Sequence, residues 1–323
     1  MKPAARTFDE KRERIREAGS LPPNQARSEL KKALGDKNGY LVGDAADAIK
    51  RLEFSELVTD LAAAFPRLCD GGVKSDPGCS GKSRVVEALL YFDAQEPEVY
   101  LRGLAYRQVE GGYPFQVDTA AGLRGMCAHA LFHIRYPHAI LDVTPLLFDP
   151  EAVTRSEAAA ALGASSLDGA AAVLHMKALQ GDAEPDVMGA VYKGLLTLFP
   201  YRYLKLVEGA LESEDGGSEA AALALGESRA EGALAVLQSA LKRARSQRAM
   251  ETLMLGISLL RSDAALSFLV SIVKGSPEKE AIFALAALAL HKHDEGLKER
   301  LRVAVRERGS ARVEDALMER FGR

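Results

Sequence analysis

The chain has 323 residues, with 42 Lys and Arg against 45 Asp and Glu and a formal net charge of −3. That balance excludes a global attraction to nucleic acid or to anionic membranes, so any such role has to be local. Apolar residues make up 47% of the chain, yet aromatics are only 6% and Trp is absent, which excludes an aromatic-rich core and suits closely packed helices of Ala and Leu.

In chain order, residues 1–20 form a charged, helix-compatible segment open to partial disorder, without the apolar stretch a leader would need. Residues 21–117 read as irregular helix pairs: 44–52 with 54–68, then 83–92 with 98–108. Two connections rich in Gly, Pro and Asp interrupt them, at 69–81 and 109–118. Each joins the second helix of one pair to the first helix of the next.

From residue 118 to 308 the pattern becomes regular. Glu157 to Gly163 (EAAAALG) lies over Glu219 to Gly226 (EAAALALG), and Leu255-Gly256 and Leu288-Ala289 take equivalent places, with Leu131 and Leu195 completing the series. Positions 131, 162, 195, 225, 255 and 288 are separated by 31, 33, 30, 30 and 33 residues, the mark of a stacked repeat. Each period holds an Ala-rich first helix and a second helix with Leu and Val at helical spacing, as in 170–179, 233–241 and 265–273. Asp149-Pro150, Glu184-Pro185, Phe199-Pro200, Asp215-Gly216-Gly217 and Ser276-Pro277 punctuate them. Residues 309–323 read as a C-terminal capping helix with a polar outer face. The longest apolar run, near 281–290, is too short to span a bilayer.

This register resembles the short HEAT-like repeats of phycocyanobilin lyases and of many bacterial proteins in which such repeats mediate binding. The resemblance covers roughly residues 118–308. It implies an all-α fold, an α-solenoid of about eight antiparallel helix pairs in one continuous body, and it brings no chromophore-lyase residue pattern with it. Fold alone does not supply function.

Several constellations invite chemistry. Gly78-Cys79-Ser80-Gly81-Lys82-Ser83 ends like a phosphate-binding loop, but Asp76 stands where the first glycine belongs and no strand precedes it, so a turn with Ser or Gly capping the next helix is expected. Cys127, His129 and His133 could share a helix face, yet no second ligand pair has matching spacing, and no metal site is assigned. His291 and His293 sit beside a helix C-terminus and read as structural. Cys69, Cys79 and Cys127 form no CxxC pair and read as reduced thiols, which points to a cytoplasmic protein.

In a solenoid, equivalent connections stack along one edge, so the two long insertions should be neighbours. Asp76, Cys79 and Lys82 would then meet Gln108, Glu110 and Asp118, with Arg124 in the following helix and Tyr113 and Phe115 as candidate aromatic anchors. Two outcomes are open for this cluster: a functional pocket, or a salt-bridge network that ties a loop to the repeats. A basic patch at Lys242, Arg243, Arg245 and Arg248, and a second series at Arg300, Arg302, Arg306, Arg308 and Arg312, could meet phosphates, but Glu299, Glu307 and Glu314 interleave the latter.

No catalytic set, dinucleotide fingerprint or cofactor motif is legible. The reading is therefore a non-catalytic scaffold, a monomer, binding a protein or peptide on its repeat surface. The alternative is an enzyme or small-ligand-binding protein with its site at the 69–81 and 109–118 connections, and nucleic-acid binding through the basic patches ranks third.

Overall fold

The computed structural model describes residues 7–212 and 216–322. Residues 1–6 of the charged N-terminal segment, Asp215 of the 215–217 breaker and Arg323 of the C-terminal cap lie outside the described residues. The chain divides between Ala161 and Leu162 into two compact units.

The first unit contains α1 (Phe8–Glu17), α2 (Pro23–Leu34), α3 (Gly39–Arg51), α4 (Val58–Ser75), α5 (Ser80–Tyr91), α6 (Pro97–Ala105), α7 (Ala121–His133) and α8 (Ala139–Val143), and ends within α9 (Ala152–Ala164). The second contains α10 (Asp168–Gln180), α11 (Pro185–Leu198), α12 (Pro200–Ala210), α13 (Gly216–Ser228), α14 (Ala233–Arg243), α15 (Gln247–Leu259), α16 (Asp263–Gly275), α17 (Glu278–Leu288), α18 (Glu295–Arg308) and α19 (Ala311–Phe321). The fold is all-α, of the helical-repeat solenoid class, and α3 to α18 form eight consecutive pairs in chain order. Among the described residues, no helix is long and apolar enough to cross a membrane.

Starts and stops follow local chemistry. Ser246, Ser262, Asp294 and Ser310 each accept a backbone N–H at a helix N-terminus. Pro185 and Pro200 open α11 and α12, where a missing N–H costs nothing.

First helices pack on first helices: α3 on α5 and α5 on α7 in the first unit, and α11, α13, α15, α17 and α19 in succession in the second. Close approach requires small residues. A Cβ on Gly226 of α13 would collide with the Gly256 carbonyl of α15, and one on Gly163 would collide with the Gly194 backbone.

A left-handed residue recurs one or two positions beyond several first helices: Glu53, Asp93, Arg135, Ser166, Arg229 and Arg261, with φ of 51° to 58°. The reversal is closed by the next N–H reaching back to the last turn: Phe54 to Ile49 at 3.1 Å, Ala94 to Leu89 at 2.9 Å and Tyr136 to Leu131 at 2.9 Å. Because none of these residues is Gly, the turn is silent in the sequence. It also corrects the register expected for α15: counting back from Arg261, Ile257-Ser258 rather than Leu255-Gly256 takes the place of Leu225-Gly226.

Both long connections depart from the loops expected. Most of 69–81 is helical, because α4 runs on to Ser75 and α5 begins at Ser80, with a single 3-10 turn, Pro77–Cys79, between them. Gly72 (φ 55°) kinks the end of α4, and Gly78 (φ 68°) with Cys79 (φ 54°) reverses the chain. Residues 109–118 form a β-hairpin, β1 (Val109–Glu110) paired antiparallel with β2 (Val117–Asp118).

Candidate functional site

The 69–81 and 109–118 segments do meet, through the half-buried Glu110 and through buried Asp76, Lys82 and Gln108. The cap of α5 is Asp76, in place of the Ser or Gly expected: its carboxylate accepts the Gly81 N–H at 2.8 Å and the Lys82 N–H at 2.9 Å. The same group lies 3.0 Å from the Lys82 ammonium, and both side chains have 0% exposure. Lys82 also donates to Gln108 Oε1 at 3.0 Å and stands 5.0 Å above the Tyr106 ring. Buried charges require this completeness, since an unpartnered one costs several kcal/mol.

Gln108 lies beyond the end of α6, outside the 98–108 helix expected, and its amide spans the cluster. Its Nε2 donates to the Asp76 carbonyl and to Glu110 Oε1, each at 2.8 Å, and its Oε1 accepts the Tyr106 hydroxyl, also at 2.8 Å. Glu110 further accepts the Gly78 N–H at 2.7 Å and the Thr119 hydroxyl at 2.6 Å. The Thr119 hydroxyl and the Gln108 amide hold its carboxyl below the ordinary range, with help from the Gly78 N–H.

A second half of the network begins at Asp118. It accepts the backbone N–H groups of Gln108 at 3.1 Å and Ala120 at 3.0 Å, and the Arg124 guanidinium at 2.8 Å. Burial raises the Asp118 carboxyl, but these donors outweigh it and hold the group below its ordinary value. Arg124 reaches on to the Tyr106 carbonyl at 3.0 Å and to Asp149 at 3.0 Å, and Arg107 binds the other Asp149 oxygen at 2.9 Å. Arg124 Nε is buried without a hydrogen bond.

Sequence reasoning missed Tyr106, Arg107, Thr119 and Asp149. Asp149-Pro150 carried only a breaker signal, and nothing marks Tyr106 as facing a lysine.

The thiols are inward. Cys79 is buried with its sulfur 3.6 Å from the Thr119 hydroxyl oxygen, and burial pushes its thiol up. Burial pushes Cys69 up to about 11 and raises Cys127 as well. A thiol so held is not a thiolate at neutral pH. Cys127 packs against Gly103, away from His129 and His133, which face Glu157 at 3.1 Å and Asp93 at 2.7 Å.

Tyr113 and Phe115 stand apart from this buried set. They sit at the hairpin tip with 94% and 83% exposure. Val109 and Val117 are exposed as well, while Glu110 and Asp118, their cross-strand partners, anchor the hairpin base.

Of the basic patch, Lys242 and Arg243 lie in the last turn of α14, Arg245 in the connection and Arg248 in the first turn of α15. Arg243 bonds Ser239 and lies near Glu212, and Arg248 pairs with Glu219. In the C-terminal series, Arg300 binds Asp263 and Ser267, Arg302 faces Glu299 and Arg308 donates to the Val273 carbonyl. His291 ties its 3-10 turn to Ser258 at 3.1 Å.

No family model matches the sequence, and no curated protein matches it. Among solved structures, the chain is similar to a chain of the complex of CpcE and CpcF of phycocyanin lyase from Nostoc sp. PCC7120, with 20% identity, a TM-score of 0.39 and coverage of 75% of this chain and 94% of that one. It is also similar to an engineered protein, with 16% identity, a TM-score of 0.36 and coverage of 97% and 93%. Neither comparison assigns an activity.

Proposed function

We propose that this chain is a non-catalytic, helical-repeat binding protein whose contact element is the 109–118 hairpin, offered to a protein or peptide partner. The observation that carries this reading is the contrast within ten residues. The base of the hairpin is pinned by Glu110 and Asp118 to a buried network, while Tyr113 and Phe115 project into solvent. An isolated two-stranded hairpin is marginal in water. The network supplies the rigidity it lacks, so its aromatic rings bind without a large ordering cost. Rigid, exposed aromatics are the residue type that dominates protein contacts.

The alternative of a catalytic or small-ligand site inside the polar cluster has less support. Asp76 and Lys82 are closed to solvent and the thiols are raised by burial, so the ion pair and the thiols at the centre of the cluster are not presented to a substrate.

The test uses paired baits, wild type and Tyr113→Ser/Phe115→Ser, in quantitative capture from the native host, with folding verified by circular dichroism. A specific protein recovered by wild type and lost from the folded variant supports the reading. Equal recovery by both baits, or specific recovery by neither, overturns it.

A further inference from the structure

α10 is apolar on its outer face as well as its inner one, with His175 between the two, packed against the Tyr203 ring. Its inner face buries Ala170, Ala171 and Leu174. Its outer face carries Gly169, Ala172, Met176 and Leu179, all exposed, with Met176 at 73% and Leu179 at 74%. A surface helix ordinarily places charge there. Between Asp168 and Gln180 the one Lys, Arg or carboxylate is Lys177, which is buried and pairs with Asp182 at 2.8 Å. Cost rather than benefit follows from leaving such a face in water, and a contiguous exposed apolar face normally marks a contact surface.

The order of residues on this face indicates what covers it. The spacing 169, 172, 176, 179 is the three-four-three step of a helix-pairing seam. It is also a palindrome in position about residue 174. Gly169 and Leu179 are equidistant from that point, as are Ala172 and Met176, and as are Asp168 and Gln180 at the exposed ends. In size it is antisymmetric, with two small residues at one end and two large at the other. A helix laid antiparallel on an identical helix therefore sets each Leu179 over a Gly169 and each Met176 over an Ala172, and each Asp168 carboxylate beside a Gln180 amide. Every contact occurs twice, as a two-fold interface requires. Opposed helix dipoles favour the same orientation.

We propose that the outer face of α10 is a homodimer interface, occupied by α10 of a second copy of this chain in antiparallel register about a two-fold axis. A parallel pairing would stack Leu179 on Leu179 and Gly169 on Gly169, leaving a gap at one end and crowding at the other. One helix pair about 20 Å long covers well under the roughly 1,600 Å² of a standard interface, so the dimer is weak and concentration-dependent. This departs from the monomer expected from the sequence, and it is independent of the hairpin, which lies in the first unit.

Sedimentation of the full chain across the micromolar range tests it, with Ala172→Lys, Met176→Glu and an equimolar mixture of the two. Both sites are exposed, and circular dichroism verifies that each variant folds. Wild type forms a dimer, and each variant alone weakens it by about tenfold or more. The mixture recovers a heterodimer, because in antiparallel register the lysine introduced at 172 faces the glutamate introduced at 176. A wild type that stays monomeric throughout, or a dimer indifferent to both substitutions, overturns the proposal. A dimer that the mixture fails to recover overturns the antiparallel register.

Discussion

The Lys82 ammonium lies 3.0 Å from Asp76 Oδ2 in a place where neither side chain reaches solvent. One carboxylate thus closes an ion pair and caps α5 at once, and Gln108 brings the hairpin segment to the same ammonium. The pair joins two segments that the sequence separates by a helix pair.

Removing one partner exposes what the pair does. Lys82→Met leaves the Asp76 carboxylate buried and is expected to cost about 3–5 kcal/mol in urea unfolding. Adding Asp76→Asn recovers part of that loss, so the double variant is more stable than the sum of the single losses implies. A loss below about 1 kcal/mol for Lys82→Met would show that the network does not hold the hairpin base.

Acid should loosen the same region. Asp118 and Glu110 are held below their ordinary values in the folded chain, so the unfolded chain binds protons first as the pH falls. Their contribution is fully present above the ordinary carboxylate range, about pH 5, and is lost as pH falls through their lowered folded values. Asp118→Asn is expected to lower stability at neutral pH and to flatten the acid limb of a plot of urea midpoint against pH. An unchanged acid limb would contradict the assignment.

All three cysteines should be inert in the folded chain. Burial raises each thiol, Cys69 to about 11, so a thiol-reactive disulfide reagent at neutral pH labels them slowly until urea is added. Rapid labelling of any one in the native state would reopen the catalytic alternative.

Helix spacing in the second unit rests on Gly226. Its substitution by Ala drives a methyl group into the Gly256 carbonyl of α15, and a loss of about 1–3 kcal/mol is expected in thermal or urea unfolding. A neutral result would mean that α13 and α15 separate freely.

Arg261 offers the opposite sign. It is exposed at φ 54°, a conformation that costs an L-residue roughly 1–2 kcal/mol, so Arg261→Gly should raise stability by about 0.5–1 kcal/mol after the extra entropy of the unfolded glycine is counted. A clear destabilisation would show that the arginine side chain makes a contact worth more than the strain.

The helices, the class of fold and the approximate period were legible because they are local or near-local properties. Ala-rich first helices, proline at helix starts and Ser or Asp caps act within a few residues, and small residues recur wherever first helices touch. The convergence of Asp76, Lys82, Gln108, Glu110, Asp118 and Arg124 also followed, since stacked repeats bring equivalent connections together.

What the residue order alone could not state is which of two outcomes that convergence takes, because a cluster of acids, a lysine and an arginine reads the same whether open or closed. The structure shows Asp76, Lys82, Asp118 and Arg124 buried, with Tyr106, Thr119 and Asp149 supplying partners that carry no local signal. The hairpin was hidden for a different reason: four strand residues are too few for a periodicity to show. The left-handed turns after the first helices escaped notice because charged residues, and Ser166, hold them in place of Gly, an arrangement only the packed repeat enforces. Local chemistry thus determined the elements and their succession, while the exclusion of water, a property of the assembled chain, decided which polar groups became a closed network and which aromatic rings were left outside it.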